Sequence, residues 1–228
     1  PQLLGSRVRE GWPEVADFND HVMKVALSGG TLSFKDQELT LYRHGEPEQV
    51  WMDLDYSPVL GDDGRPAGVL AVVIETTERV AAERVVRQRE ARLRFFDRLA
   101  QATQDLSDAR EIMAVTTRLL GEELHGSVCA YADMEPDEDV MNIRADWTAD
   151  GSASIAGTYS LAGFGSTARR ALLAGHPFVT RDTLAELGTD EGGALLSLGL
   201  GATVCMPLTR GGKLRALMAL HSKEPRLW

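Results

Sequence analysis

Cysteine is scarce: Cys129 and Cys205 are the two among 228 residues. Two cannot build a disulfide framework, and the shortage fits a reducing cytoplasm. No apolar run approaches the roughly 18 residues that a membrane helix needs, and the first residues lack the pattern of a signal peptide. Walker loop, Rossmann glycine fingerprint and Gly-x-Ser-x-Gly elbow are all missing. His21, His44, His125, His176 and His221 have no metal-ligand spacing among themselves or with the cysteines. No catalytic constellation and no metal site is therefore expected. A basic excess is lacking too, since 34 acids against 24 bases leave a formal charge of −10, which does not favour nucleic acid as a partner.

What is present is an ordinary globular composition, 43% hydrophobic and 25% charged. The length suits one large domain or two small ones, each able to bury its own core.

The first stretch reads as mixed α/β. Pro13 suits a first helical turn, and Val15, Phe18, Val22, Val25 and Ala26 recur at helical spacing up to Leu27, where Gly29 and Gly30 stop the helix. Strands are predicted over Leu32–Arg43, Gln49–Val59 and Ala67–Ile74. In the second of these Val50, Met52, Leu54 and Tyr56 share one face at period 2. The turn Gly61-Asp62-Asp63-Gly64-Arg65-Pro66 closes the last two strands into an antiparallel hairpin. Trp12, Phe34 and Trp51 read as core.

Residues 78 to about 106 contain neither glycine nor proline, which predicts a helix roughly 40 Å long. One seam runs Ala82, Val86, Arg89, Leu93, Phe96, Ala100, Thr103 in alternating steps of four and three, an impure heptad-like pattern that suits a dimer helix, with a solvated connector as the competing reading. A second stripe, Val85, Phe95, Leu99, Ala102 and Leu106, is expected to pack on the following domain. The arginines of this stretch read as a solvated face with intrahelical ion pairs.

A second α/β unit follows. Asp108 is a fair N-cap for an amphipathic helix over Ala109–Leu124. Strands are predicted at Ser127–Met134, Met141–Trp147, around Ser154–Tyr159, at Pro177–Thr180, Ala202–Leu208 and Lys213–His221, with a helix over Ser166–Leu173 closed by Gly175. Asp150-Gly151 and Gly211-Gly212 read as hairpin turns. Cys129 and Cys205 sit among apolar neighbours, as small buried hydrophobes do; a thiolate nucleophile or a covalent attachment site for a chromophore is the competing reading. Trp147, Tyr159, Phe164, His176, Cys205 and His221 are the candidates for lining a small-ligand pocket; an ordinary sheet core is the competing reading for the aromatic set.

Residues 1–79 resemble the C-terminal two-thirds of a PAS domain. The resemblance rests on Arg43-His44-Gly45, Tyr56-Ser57-Pro58-Val59, Asp62-Asp63-Gly64, Gly68-Val69-Leu70 and the close Glu75-Thr76-Thr77-Glu78-Arg79, with Arg9–Glu14 similar to the helical middle. Residues 109–228 resemble a GAF domain, through Asp146-Trp147-Thr148, Gly157-Thr158-Tyr159-Ser160-Leu161, Phe164-Gly165, Ala174-Gly175-His176, Pro207-Leu208 and the tail from His221 to Trp228. The tail is also distantly similar to chromophore-binding GAF domains of phytochromes. Only His221 of their histidine pair is present, Ser222 takes the other place, and an Asp-Ile-Pro motif is absent.

These resemblances imply an α+β chain of two small antiparallel-sheet sensor domains. Residues 1–78 would be a partial PAS domain without its opening strands, 79–107 a signalling and dimerisation helix, and 108–228 a GAF domain lacking its final helix. They imply a cytoplasmic, non-catalytic sensory piece of a two-component protein, with a sensor histidine kinase as parent. Its partners would be a second copy of itself, kinase output domains in the parent chain and an unidentified small ligand, with no nucleic acid and no membrane. Glu75, Thr77, Glu78 and Arg79 would couple sheet to helix, and Ala82, Val86, Leu93, Phe96 and Ala100 would form the dimer seam. No cofactor is assigned. The alternatives are a bilin-binding photoreceptor and a purely structural dimerisation module.

Overall fold

The computed structural model describes residues 5–149 and 151–228. Asp150, half of one expected hairpin turn, lies outside the described residues, as do residues 1–4 of the expected PAS stretch. The chain divides into two compact units, 1–92 and 93–228.

In the first unit, α1 (Val8–Gly11) and a 3-10 turn started by Pro13 lead into α2 (Ala16–Leu27). Three antiparallel strands follow in sequential order: β1 (Leu32–Arg43), β2 (Glu46–Leu60) and β3 (Pro66–Glu75). Val50, Met52, Leu54 and Tyr56 are buried and, with Val22 of α2, make the core. Phe18, Phe34 and Tyr56 form a ring cluster with centroids 5.2–6.5 Å apart, in tilted and edge-on arrangements that suit the ring quadrupoles. The apolar third strand is not buried as its composition suggests: Leu70, Val72, Val73 and Ile74 are all exposed.

The long helix α3 is continuous over Thr77–Thr103. It ends three residues short of the expected limit. The Thr103 hydroxyl donates back to the Leu99 carbonyl at 2.8 Å, and Asp108 must already be extended to cap the next helix.

In the second unit, α4 (Ala109–Glu123) is capped by Asp108, whose carboxylate accepts from the Arg110 and Glu111 amides. The strands are β4 (Val128–Met134), β5 (Val140–Thr148), β6 (Gly157–Ser160), β7 (Phe178–Thr180), β8 (Ala202–Arg210) and β9 (Lys213–Ser222). They form one antiparallel sheet in the order β6-β5-β4-β9-β8-β7. Helix α5 (Ser166–Leu173) matches its expected bounds. Helix α6 (Thr183–Ser197), kinked at Gly188, has no counterpart in the sequence reading. One face of the sheet carries the core, with Ala130, Ala132, Met141, Ile143 and Leu217 beneath Ala168, Leu172 and Leu195 of the two helices. No helix among the described residues is long and apolar enough to cross a membrane.

Candidate functional site

The junction between the first sheet and α3 is densely bonded. The Glu75 carboxylate accepts from Arg43 at 2.7 Å and from the Thr77 hydroxyl at 3.0 Å. Arg43, then Thr77, hold its carboxyl below the usual range. The Thr77 hydroxyl also accepts from the Trp51 amide at 3.0 Å, and the Thr76 amide donates to the Trp51 carbonyl at 2.7 Å. The first turn of α3 is thereby tied to the middle of β2. Arg79 pairs with Asp36 and with Glu83, the latter at 2.8 Å. Glu78 is exposed, and no partner reaches it among the described residues.

Sequence reasoning missed three members of this junction. Asp36 sits at a β-bulge in β1, between Phe34 and Gln37, with φ of 49°. There its carboxylate accepts from the Thr76 hydroxyl at 2.7 Å. Arg84 lies over the Trp51 ring, 4.3 Å from its centroid, a cation–π contact on the sheet face opposite the core. Trp51 is thus a half-buried partner of the helix, not core. The third missed member is Arg43, named in the sequence for its place before a turn and found here as the partner of Glu75.

Further along α3 the two stripes separate. On the seam, Val86, Leu93 and Phe96 are 52%, 63% and 49% exposed, and Ala82 and Ala100 are exposed as well. On the second stripe, Phe95 is buried and Leu99 half-buried, while Val85 and Ala102 stay exposed. Arg98 stacks on Phe95 and pairs with Glu123 of α4. Arg79 and Arg87 both reach Glu83 one turn away, the intrahelical pairing expected of a solvated face.

Two recesses are candidates for a ligand. The first unit has a cleft of about 530 Å³ between its helices and the sheet, walled by Trp12, Phe18, Met23, Tyr56 and Val73, with Glu14 and Arg43 at the polar side. Trp12 therefore lines a cleft and is 39% exposed, in contrast to the core role expected of it. The second unit has a cavity of about 60 Å³ lined by apolar side chains and by Thr203 and His221.

Of the six expected pocket residues, Phe164, Cys205 and His221 line the smaller cavity. Tyr159 packs beside it, edge-on to Phe164 at 5.7 Å, with its hydroxyl on the Ile155 carbonyl. Trp147 and His176 do not reach it. Trp147 shares a face with Cys129 and fits against Gly121 of α4, on the other side of the sheet. The cause is a bulge. Ala130 pairs with Asp146 but Ala132 pairs with Ile143, so β5 carries one extra residue and its alternation flips. His176 is exposed in the turn after α5, where its amide closes the helix on the Ala171 carbonyl.

His221 is 5% exposed, and its Nδ1 lies 2.9 Å from the Thr203 hydroxyl. Burial pushes its pKa down to about 4, so the ring is neutral at physiological pH. Burial likewise pushes the Cys129 and Cys205 thiols up to about 12, which leaves them without thiolate character.

A family model described as "PAS fold" matches residues 1–81. No curated protein matches the chain. Among solved structures, the chromophore-binding domain of the Stigmatella aurantiaca bacteriophytochrome in its Pr state is similar at 13% identity and a TM-score of 0.51, covering 99% of this chain and 77% of that one. A biliverdin-bound protein in a far-red absorbing dark state is similar at 15% identity and a TM-score of 0.51, over 59% of this chain and 86% of that one. The phycoerythrobilin-bound GAF domain of a cyanobacterial phytochrome is similar at 14% identity and a TM-score of 0.50, over 60% and 84%. The fold is thus of the PAS and GAF kind, with two antiparallel sheets joined by a long helix.

A bilin does not fit the second unit as folded. Pockets for ligands of drug size measure roughly 300–1,000 Å³, against a cavity of about 60 Å³ here. The lining offers no cation for a propionate, and Cys205 in its wall has no thiolate character.

Proposed function

We propose that this chain is a non-catalytic sensory region that relays a change of state from a sheet to α3, within a cytoplasmic two-component protein whose output is a histidine kinase. The observation that carries the reading is the junction: Glu75, Thr76, Thr77 and Arg79, from the end of β3 through the first turn of α3, bond to Arg43, Trp51 and Asp36. A shift of β1 or β2 relative to α2 must therefore move the start of a helix that runs unbroken into the second unit. A ligand shifts such an equilibrium only by its differential affinity for the two states. The cleft of about 530 Å³ against the sheet is the recess large enough for a small organic signal.

The same reading makes the active form a homodimer. The exposed seam has the 3.5-residue spacing that matches a second copy of the same helix. Leu93→Glu with Phe96→Glu places two charges on the seam, where burying them is costly. Sedimentation of the double variant as a monomer, with the parent chain sedimenting as a dimer, supports the reading; equal sedimentation coefficients overturn the seam. The relay itself is tested by joining the chain in helical phase to the dimerisation and catalytic domains of a sensor histidine kinase. Arg79→Ala and Thr77→Val are expected to change autophosphorylation at least severalfold, and unchanged rates would contradict the relay. Incubation with biliverdin separates this reading from a photoreceptor, since a protein-dependent red absorption band would replace it.

A further inference from the structure

The roof of the smaller cavity is built from two helices of unequal anchorage. Ala168 and Leu172 come from α5, whereas Leu195 and Leu198 come from α6 and the residue that follows it. Helix α6 is two segments. Its first turn is capped by Asp182, which accepts from the Ala185 amide at 2.9 Å. At Gly188 the backbone leaves the helix with φ 64° and ψ −167°, and Gly199 just past the end has φ 72°. Residues 189–197 therefore hang between two positions that a side-chain-bearing residue adopts only with strain.

One side chain ties that segment to α5. The Glu191 carboxylate accepts from the Ser166 hydroxyl and from the Thr167 amide, each at 2.8 Å. It thus caps a neighbouring helix that has no cap of its own, as its N-cap is Gly165. The approach requires that glycine, because a Cβ there would lie 2.5 Å from the Glu191 carbonyl oxygen and 2.7 Å from its carboxylate. These hydrogen bonds, the Thr167 amide first, hold the Glu191 carboxyl below its usual range.

We propose that residues 189–197 are a gate over the cavity, hinged at Gly188 and Gly199 and latched by Glu191 on the first turn of α5. An uncharged, largely apolar molecule enters when the latch releases. The ligand class follows from the lining, whose polar members Thr203 and His221 bond to each other. The closed cavity of about 60 Å³ has room for only a few water molecules, so occupancy by anything larger and opening of the roof go together. The proposal rests on the sensory reading for its purpose, but its test needs no signal, dimer or kinase.

Hydrogen exchange on the full chain reads the gate directly. In Glu191→Ala and in Gly165→Ala, amides of 189–197 and Thr167 are expected to exchange at least about tenfold faster, the factor carried by one charge-assisted hydrogen bond. Amides of β4 and β9 keep their protection, and Glu191→Gln, which retains an accepting oxygen, exchanges between the two. Benzene serves as the probe of access. Its titration shifts the Leu195 and Leu217 methyl resonances saturably in the released variants and at no less than about tenfold higher concentration in the parent, in keeping with that factor. Unchanged exchange in 189–197, an equal rise across β4 and β9, or equal benzene response in all proteins overturns the gate. None of those outcomes bears on the junction of the first unit, which the kinase fusion tests.

Discussion

Acidification should destabilise the second unit from the inside, through His221. His221 lies on β9, the strand between β4 and β8, with its ring buried at the cavity, and its pKa lies near 4 against 6.5 for a free imidazole. The unfolded chain therefore binds a proton that the folded chain refuses between these values, and stability rises with pH across that window. The contribution is complete above pH 6.5 and is lost progressively as pH falls toward 4. One pKa unit is worth about 1.4 kcal/mol, so the full loss is roughly 3 kcal/mol and the loss between pH 7 and 5 about 2 kcal/mol. That is a large fraction of the 5–15 kcal/mol typical of a domain. Urea unfolding at pH 7 and pH 5, followed by hydrogen exchange in β9, measures it. Asp139 and Glu191, whose carboxyls hydrogen bonds hold below the usual range, lose their contribution in acid in parent and variant alike, so the difference between the two profiles belongs to His221. His221→Gln should start less stable at pH 7, because the Thr203 contact changes, yet lose little more on going to pH 5. Parallel pH profiles for the parent and His221→Gln would refute the reasoning.

Cys129 and Cys205, with thiol pKa values near 12, should both resist alkylation by iodoacetamide at pH 8 in the folded chain and react once urea unfolds it; rapid labelling of the native protein would contradict their burial. Gly121→Val should cost roughly 1–3 kcal/mol by overpacking, because its Cβ would collide with the Trp147 ring, and thermal unfolding with an unchanged midpoint would show that Trp147 lies elsewhere. Thr77→Val should leave the Trp51 amide without an acceptor and destabilise the first unit by about 1–2 kcal/mol, read by chemical denaturation, whereas Thr77→Ser should restore it.

The elements legible in the sequence were those with one dominant period. Leu32–Arg43 is found as expected to the residue because polar and apolar side chains alternate and glycines precede it. The α3 stretch was equally plain from its lack of glycine and proline. Helix α6 was hidden by the glycines at 188, 192, 193 and 199, which read as loop. One of them is a true kink, and another, Gly192, is needed where a Cβ would press on Thr183 at 3.0 Å. Half of the pocket residues line the cavity as expected: Cys205 and His221 lie on the core face of the sheet, and Phe164 ends the 3-10 turn Leu161–Phe164 against it. Trp147 was not, since parity along β5 predicts the cavity face and the bulge reverses it. The junction was legible for Glu75, Thr77 and Arg79 but not for Asp36, whose role comes from a bulge that no local pattern announces.

The relay rests on α3 being one rod. Spin labels on cysteines introduced at the exposed positions Glu78 and Ala102, with the two native cysteines buried and unlabelled, should give a single narrow distance near 36 Å, the rise of a continuous helix over that span. The measurement is made by double electron–electron resonance with labelled chains diluted into unlabelled ones. A broad distribution, or a population well below about 25 Å, too short for an unbroken helix of this span, would contradict the account.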